Sequence, residues 1–295
     1  MVGLREVMEH FKLSAGDVAR ITGYSKTTIS LIKNNKYKAN GQGEVEAEII
    51  RKLVEAGYRI ESDFKKWRVK RDVFIKTGNV RKFDTLCDEL LAPDGDLTSS
   101  IGVNIGRAGR GKTKAARHYA VQHPEAVYVL FIDGFSLVDV AREIAFEIGG
   151  IRPRTFRACL DVIDEATLQQ RRLIIIDEAD KMPKKYFEML RGINERCACP
   201  VILVGEEPLR KALESERRLK SRVRQVVVFE PVLLTDIAAY YQTAIGITLT
   251  GDVLQALWQR SQGDFRLVVR DAFSVVRIMN ANRLQAVTMD VVKGI

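Results

Sequence analysis

A short apolar run, Ile101–Ile105, leads directly into Gly106-Arg107-Ala108-Gly109-Arg110-Gly111-Lys112-Thr113. This is the complete Walker A pattern, and it restricts the fold. Its glycines let successive backbone N–H groups converge on phosphate oxygens. That geometry needs a buried strand before the loop and a helix after it. Lys112 is placed to reach the β- and γ-phosphates of ATP, and the Thr113 hydroxyl to ligate Mg²⁺. Gly106 to Gly111 and Lys114 complete the expected nucleotide-binding set. Arg107 and Arg110 are unusual decorations, for which phosphate, a neighbouring subunit or no contact at all are open readings.

Four further β-rich runs alternate with helical stretches: Val127–Ile132, Leu173–Ile176, Val201–Val204 and Val226–Phe229. Continuous apolar runs suit strands buried on both faces of a parallel sheet. Strand-helix alternation implies a layered α/β domain. The third run continues as Asp177-Glu178-Ala179-Asp180. Asp177 then sits at the carboxyl edge of the sheet, where such folds bind ligands. It suits the Walker B role of holding Mg²⁺, with Glu178 next to it to polarise the attacking water.

With these motifs the chain resembles the AAA+ ATPases over about residues 90–295. The resemblance implies a P-loop AAA+ fold with a parallel five-stranded sheet and a helical lid. It places sensor 1 at the end of the fourth strand. Glu206 stands there, where a neutral polar residue is usual in the family, and near a γ-phosphate its charge is repulsive. The resemblance puts an arginine finger just before the fifth strand, with Arg222 as first choice and Arg218 as second. Such a finger acts on a neighbouring subunit's nucleotide. A basic helix surface is the plain alternative for both. The resemblance also assigns Gly263-Asp264-Phe265-Arg266 as sensor 2, with Arg266 over the γ-phosphate.

The N-terminal region carries a second pattern. Ser14 suits a helix N-cap, Gly23 a tight turn with positive φ, and Ser25 a second cap. Val18, Ala19, Ile21, Ile29 and Ile32 supply the inward positions. This spacing resembles the helix-turn-helix of phage repressors, which implies DNA binding through the second helix. Ser25, Lys26, Thr27, Ser30 and Lys33 would face DNA, and Lys36 and Lys38 its backbone. An ordinary helical bundle with a lysine-rich surface is the alternative. The outward set lacks the arginine and glutamine readers of bases, which favours binding without sequence preference.

These readings divide the chain into a helix-turn-helix domain (1–62), a basic linker (63–90), a nucleotide-binding core (91–231) and a helical lid (232–295). The linker is rich in Lys and Arg and reads either as a solvated joint or as a second nucleic-acid contact. Trp67 within it suits stacking or packing. The formal net charge of +9 favours polyanionic partners. The four cysteines and three histidines lack zinc-site spacing. Cys197 and Cys199 read as structural residues at a helix-to-strand junction. No run approaches the ~18 apolar residues of a membrane span, and no apolar leader opens the chain. The bacterial host cytoplasm is the expected location.

A repressor-like N-terminal domain followed by a compact AAA+ module resembles the target-DNA activators of Mu-like transposing phages. Ile32 to Gly41, the AAA+ motifs and the short helical C-terminus carry that resemblance. It implies ATP-dependent assembly as a helical oligomer on double-stranded DNA, recruitment of a transposase, and slow hydrolysis stimulated by both partners. It also implies DNA contacts from the core. Arg152, Arg154, Lys181, Lys184 and Lys185 are the first positions to inspect, each also readable as solvated surface charge. The alternatives are an ATP-gated transcription regulator, a helicase loader or replication initiator, and a binding module with an inert nucleotide site.

Overall fold

Five parallel strands form one sheet in the order Ala126–Leu130, Leu173–Asp177, Val201–Gly205, Ile101–Ile105 and Val223–Val228, and the sequence reading located each of them. The computed structural model describes residues 3–34, 37, 42–58, 66–92 and 100–295. The chain divides into two compact units, Met1–Lys66 and Trp67–Ile295.

The first unit holds α1 (Leu4–His10), α2 (Ala15–Thr22), α3 (Lys26–Lys33) and α4 (Gln42–Glu55). Local chemistry sets the ends of α2 and α3. Ser14 and Asp17 cap each other reciprocally, and the Ser25 hydroxyl accepts from the Thr28 N–H at 3.0 Å. Gly23 ends α2 in the left-handed region, at φ 78°. Leu4, Met8, Val18, Ile29, Ile32, Ile49 and Leu53 form one buried cluster. Tyr24 donates to Glu48 at 2.7 Å, which ties the α2–α3 turn to α4.

The second unit runs α5 (Gly78–Leu91), β1 (Ile101–Ile105), α6 (Lys112–Gln122), β2 (Ala126–Leu130), α7 (Leu137–Gly149), α8 (Phe156–Gln169) and β3 (Leu173–Asp177). It continues with a short 3₁₀ turn (Ala179–Lys181), α9 (Lys184–Cys197), β4 (Val201–Gly205), α10 (Glu207–Glu214), α11 (Arg217–Lys220) and β5 (Val223–Val228). After Pro231 come α12 (Leu234–Ala244), α13 (Gly251–Ser261), α14 (Phe265–Ala281) and α15 (Met289–Lys293). The strand residues alternate between two cores. Val103, Ile174, Ile176 and Leu203 face the layer of α7, α8 and α9. Leu173, Ile175, Ile202 and Val204 face α5 and α6. Burial on both sides is why the runs are apolar throughout.

The linker expected over 63–90 does not hold from Trp67 onward, and residues 63–65 lie outside the described residues. From Trp67 onward the chain belongs to the same unit as the sheet. Thr77 caps α5, whose Phe83, Leu86, Cys87 and Leu90 are buried. A Cβ on Gly102 of β1 would lie 2.9 Å from the Leu90 side chain and 3.1 Å from that of Leu86. The missing side chain lets α5 sit directly on the strand. Trp67 packs: it is 8% exposed, its backbone N–H donates to Asn280 and its indole N–H to the Leu284 carbonyl, both at 2.9 Å. Arg81 and Lys82 lie on the exposed side of α5, and this outward charge masked the apolar stripe beneath.

All four cysteines are buried free thiols. Cys197 ends α9 and Cys199 precedes β4, with Ala198 between them at φ 51°. Among the described residues no helix is long and apolar enough to cross a membrane.

Candidate nucleotide site

The loop between β1 and α6 is shaped by its glycines. Gly109 and Gly111 have φ of 77° and 94°. A Cβ on Gly106 would lie 2.8 Å from the Phe229 carbonyl, so only glycine passes there without a shift. Lys112 opens α6 and is buried, and its Nζ donates to the carbonyls of Gly106 at 2.6 Å and Arg107 at 3.0 Å. Burial pushes its pKa below the ordinary lysine value, against the opposing pull of Glu206, Asp177, Asp180 and Glu178. Four carboxylates therefore act on a single ammonium. Thr113 is half-buried, whereas Arg107, Ala108 and Lys114 are exposed.

Asp177 ends β3 and is 2% exposed. Both its oxygens are engaged: Oδ1 accepts the Glu178 N–H at 2.9 Å, and Oδ2 accepts the Tyr128 hydroxyl at 2.8 Å. Tyr128 comes from β2 and was not singled out in the sequence. A hydroxyl inside the apolar run Val127–Ile132 was the available signal. Burial, then Asp177, pushes the Tyr128 pKa up to about 12, while Arg117, 5.0 Å above its ring, opposes the shift. Glu178 adopts the left-handed conformation at φ 59°, and its Oε2 lies 2.7 Å from Lys181 Nζ.

Nothing local in the sequence marks Asp180 either. Its Oδ1 accepts the Glu206 N–H at 3.0 Å, which joins the turn after β3 to the end of β4. A Cβ on Gly205 would come within 2.6 Å of that oxygen. Glu206, half-buried, precedes α10 and acts electrostatically on Lys112. Arg266 stands in the first turn of α14 and is exposed. That turn touches the phosphate loop directly: the Phe265 N–H donates to the Gly109 carbonyl at 2.9 Å. Arg110 donates to the carbonyl of Gly263.

The Arg222 guanidinium pairs with Glu195 of α9, and Arg218 is exposed on α11. Lys184 pairs with Glu216 at 2.5 Å and Arg152 with Glu143 at 2.9 Å. Lys185 lies 5.3 Å from the Tyr186 ring centroid, and Arg154 is exposed. In the first unit Lys26, Thr27 and Ser30 are exposed, Lys33 is half-buried, and the Ser25 hydroxyl serves as a helix cap. Lys36 and Lys38 lie outside the described residues.

The donor set fits a magnesium nucleotide. Mg²⁺ takes few protein ligands and keeps waters and substrate phosphates, so one carboxylate and one hydroxyl suffice. Among the described residues no cluster of three or more carboxylate, histidine or cysteine groups forms a metal cage.

A family model described as an AAA domain matches residues 96–213. The matched segment includes the phosphate loop, Asp177 and Glu206. The ATP-dependent target DNA activator B of Escherichia phage D108 is 27% identical over 294 residues, covering 97% of this chain and 87% of that protein. The protein of the same name from Escherichia phage Mu is 28% identical over 205 residues, 69% of this chain and 62% of its own length. Among solved structures, Cdc6p from Pyrobaculum aerophilum superposes with a TM-score of 0.55 at 15% identity, covering 79% of this chain and 69% of that one. The chain resembles the phage D108 activator over nearly all its length and the phage Mu protein over 69% of it, and it shares the fold of Cdc6p over 79%.

Proposed function

We propose that the chain is an ATP-dependent, largely non-sequence-specific DNA-binding ATPase. It assembles as a helical oligomer on target DNA and recruits and activates a transposase. The observation that carries this reading is the similarity to the phage D108 activator, which spans 97% of the chain and therefore both units. The net charge of +9 supports a polyanionic partner.

Hydrolysis divides among named residues. Lys112 and the loop N–H groups hold the phosphates. Thr113 and Asp177 would hold Mg²⁺, which would supply positive charge to the phosphates. Tyr128 and the Glu178 N–H fix the Asp177 carboxylate. Glu178 orients a water for attack on the γ-phosphorus; the bond from that phosphorus to the bridging oxygen breaks, and ADP and phosphate leave. Glu206 orders water at the end of β4. Arg266 contacts the γ-phosphate from the lid, and Arg218 or Arg222 of a neighbouring subunit supplies positive charge. An interface between successive subunits that does not close into a ring generates a helix.

Electron microscopy of the full chain with random-sequence DNA, with and without ATP and Mg²⁺, tests the reading. Filaments that need ATP, form on any sequence and dissolve steeply with added salt are expected. A discrete footprint on one operator sequence, with no filaments, overturns it.

A further inference from the structure

We infer that Arg110 is a positioning residue: through the Gly263 carbonyl it holds the lid turn 263–266 against the phosphate loop and so aims Arg266 at the terminal phosphate of ATP. The inference rests on the ATP-binding reading above and assigns Arg110 a task that phosphate binding does not require.

The backbone N–H groups and Lys112 suffice for a phosphate cradle, so a long cation beside Gly111 needs another explanation. Arg110 is half-buried and its guanidinium turns to the lid, where it donates to the Gly263 carbonyl. The same carbonyl accepts the Val232 N–H at 3.2 Å. One oxygen thus joins three segments: the phosphate loop, the chain just past Pro231 and the turn before α14. The joint is closely packed. Gly263 is buried at φ 73°, and a Cβ there would overlap Arg110 and lie 2.9 Å from the Pro231 Cα. The neighbouring residues repeat the contact. Phe265 N–H donates to the Gly109 carbonyl at 2.9 Å. Asp264 accepts the Arg266 N–H at 2.7 Å, and its carboxylate lies so close to Gly109 that no side chain fits between them.

Gly263 precedes the Asp264 N-cap, and Arg266 follows in the first turn of α14. A small rotation of that turn about the joint swings the end of its long side chain away from the loop. A charged donor holds a buried carbonyl more firmly than a neutral one, so Arg110 is the strongest side-chain tie across the joint.

The test uses the full chain with Mg²⁺ and fluorescent ATP and ADP analogues. Arg266→Ala is expected to lose the preference for ATP over ADP. Arg110→Ala is expected to lose about tenfold of that preference, the size of one charge-assisted hydrogen bond, with ADP affinity unchanged. The double variant should be no worse than Arg266→Ala alone, since both changes break one chain of action. Arg110→Lys, which keeps one donor, should recover part of the loss. Amide hydrogen exchange over residues 263–268 should rise in Arg110→Ala without nucleotide, a readout independent of binding. If Arg110→Ala weakens ATP and ADP equally and adds to Arg266→Ala, Arg110 is a phosphate ligand and the inference fails. Unchanged exchange and unchanged preference also overturn it. An unmodified chain that binds neither nucleotide refutes the ATP-binding reading itself, and the inference with it.

Discussion

Lys181 and Glu178 form an ion pair across the turn that follows β3, with Nζ 2.7 Å from Oε2. The carboxylate assigned to the attacking water is therefore engaged by a half-exposed lysine that was itself expected to meet DNA. Lys181 competes with water for the lone pairs of Glu178. Lys181→Ala is expected to raise DNA-free ATP turnover about twofold to fivefold, a modest effect because the pair is largely solvated. Stimulation by DNA should shrink correspondingly. Phosphate release with and without random-sequence DNA measures both, and a DNA-free rate equal to the unmodified one removes the pair as a restraint.

Lys112→Ala takes the only buried cation from the phosphate loop. Nucleotide affinity is expected to fall about tenfold to a hundredfold, and ATP-dependent assembly on DNA should disappear. Glu178→Gln keeps the size and loses the charge. That variant should still assemble, but with turnover slower by about a hundredfold or more and filaments that persist. Microscopy paired with phosphate release separates the two; normal filaments from Lys112→Ala would end the nucleotide-gating argument.

The two finger candidates differ in what they touch. Arg222 is paired with Glu195 within its own chain, whereas Arg218 is exposed on α11. Arg218 is therefore the better placed to reach a neighbour. Arg218→Ala alone should lose about a thousandfold in turnover. Mixing it with Glu178→Gln should restore activity, because each variant supplies what the other lacks at their shared interface. Recovery with Arg222→Ala in place of Arg218→Ala would mean that the Glu195 pair opens on assembly.

Leu90 tests the corrected boundary. It is 1% exposed and packs on the bare face of Gly102. Leu90→Ala is expected to cost about 2 to 5 kcal/mol, the range for a leucine deleted from a core. Thermal unfolding reads this directly, and a loss below ~0.5 kcal/mol, the range of surface changes, would return α5 to the status of a linker.

The strands and the phosphate loop were legible because their chemistry is local. Ile101–Ile105 and Val201–Val204 are buried on both faces, so apolar residues run unbroken through them. Gly109 and Gly111 are needed by their own backbone conformations. Asp177 and Glu178 follow a buried strand within one or two residues. Legibility failed where a role depends on a distant partner. Trp67 finds its place through Asn280 and Leu284, more than two hundred residues away in sequence. Tyr128 becomes a site residue only when β2 lies beside β3. Asp180 acquires its role from the Glu206 N–H on the neighbouring strand end. Arg110 could not be assigned from the loop alone, because its acceptor belongs to the lid.

The cysteines give a pH prediction. Burial above all pushes the Cys197 thiol up to about 11 and the Cys199 thiol up to about 12, and Cys87 and Cys159 are shifted upward for the same reason. A raised thiol pKa means that the fold favours the neutral form. Below the unfolded value near ~8.5 this preference is fully satisfied in both states. Above it the unfolded chain releases protons that the native chain retains, so stability falls as pH rises. The window opens near ~8.5 and extends to about 11 for Cys197 and about 12 for Cys199. Within it each thiol contributes a slope of about 1.4 kcal/mol per pH unit. A thiol reagent at pH 8 should label none of the four cysteines in the native chain and all four once denaturant unfolds it. Denaturant midpoints from pH 8 to 11 should decline, and a Cys199→Ala variant should decline less steeply. Rapid native-state labelling of Cys199 would show that the junction before β4 opens far more readily than its burial implies.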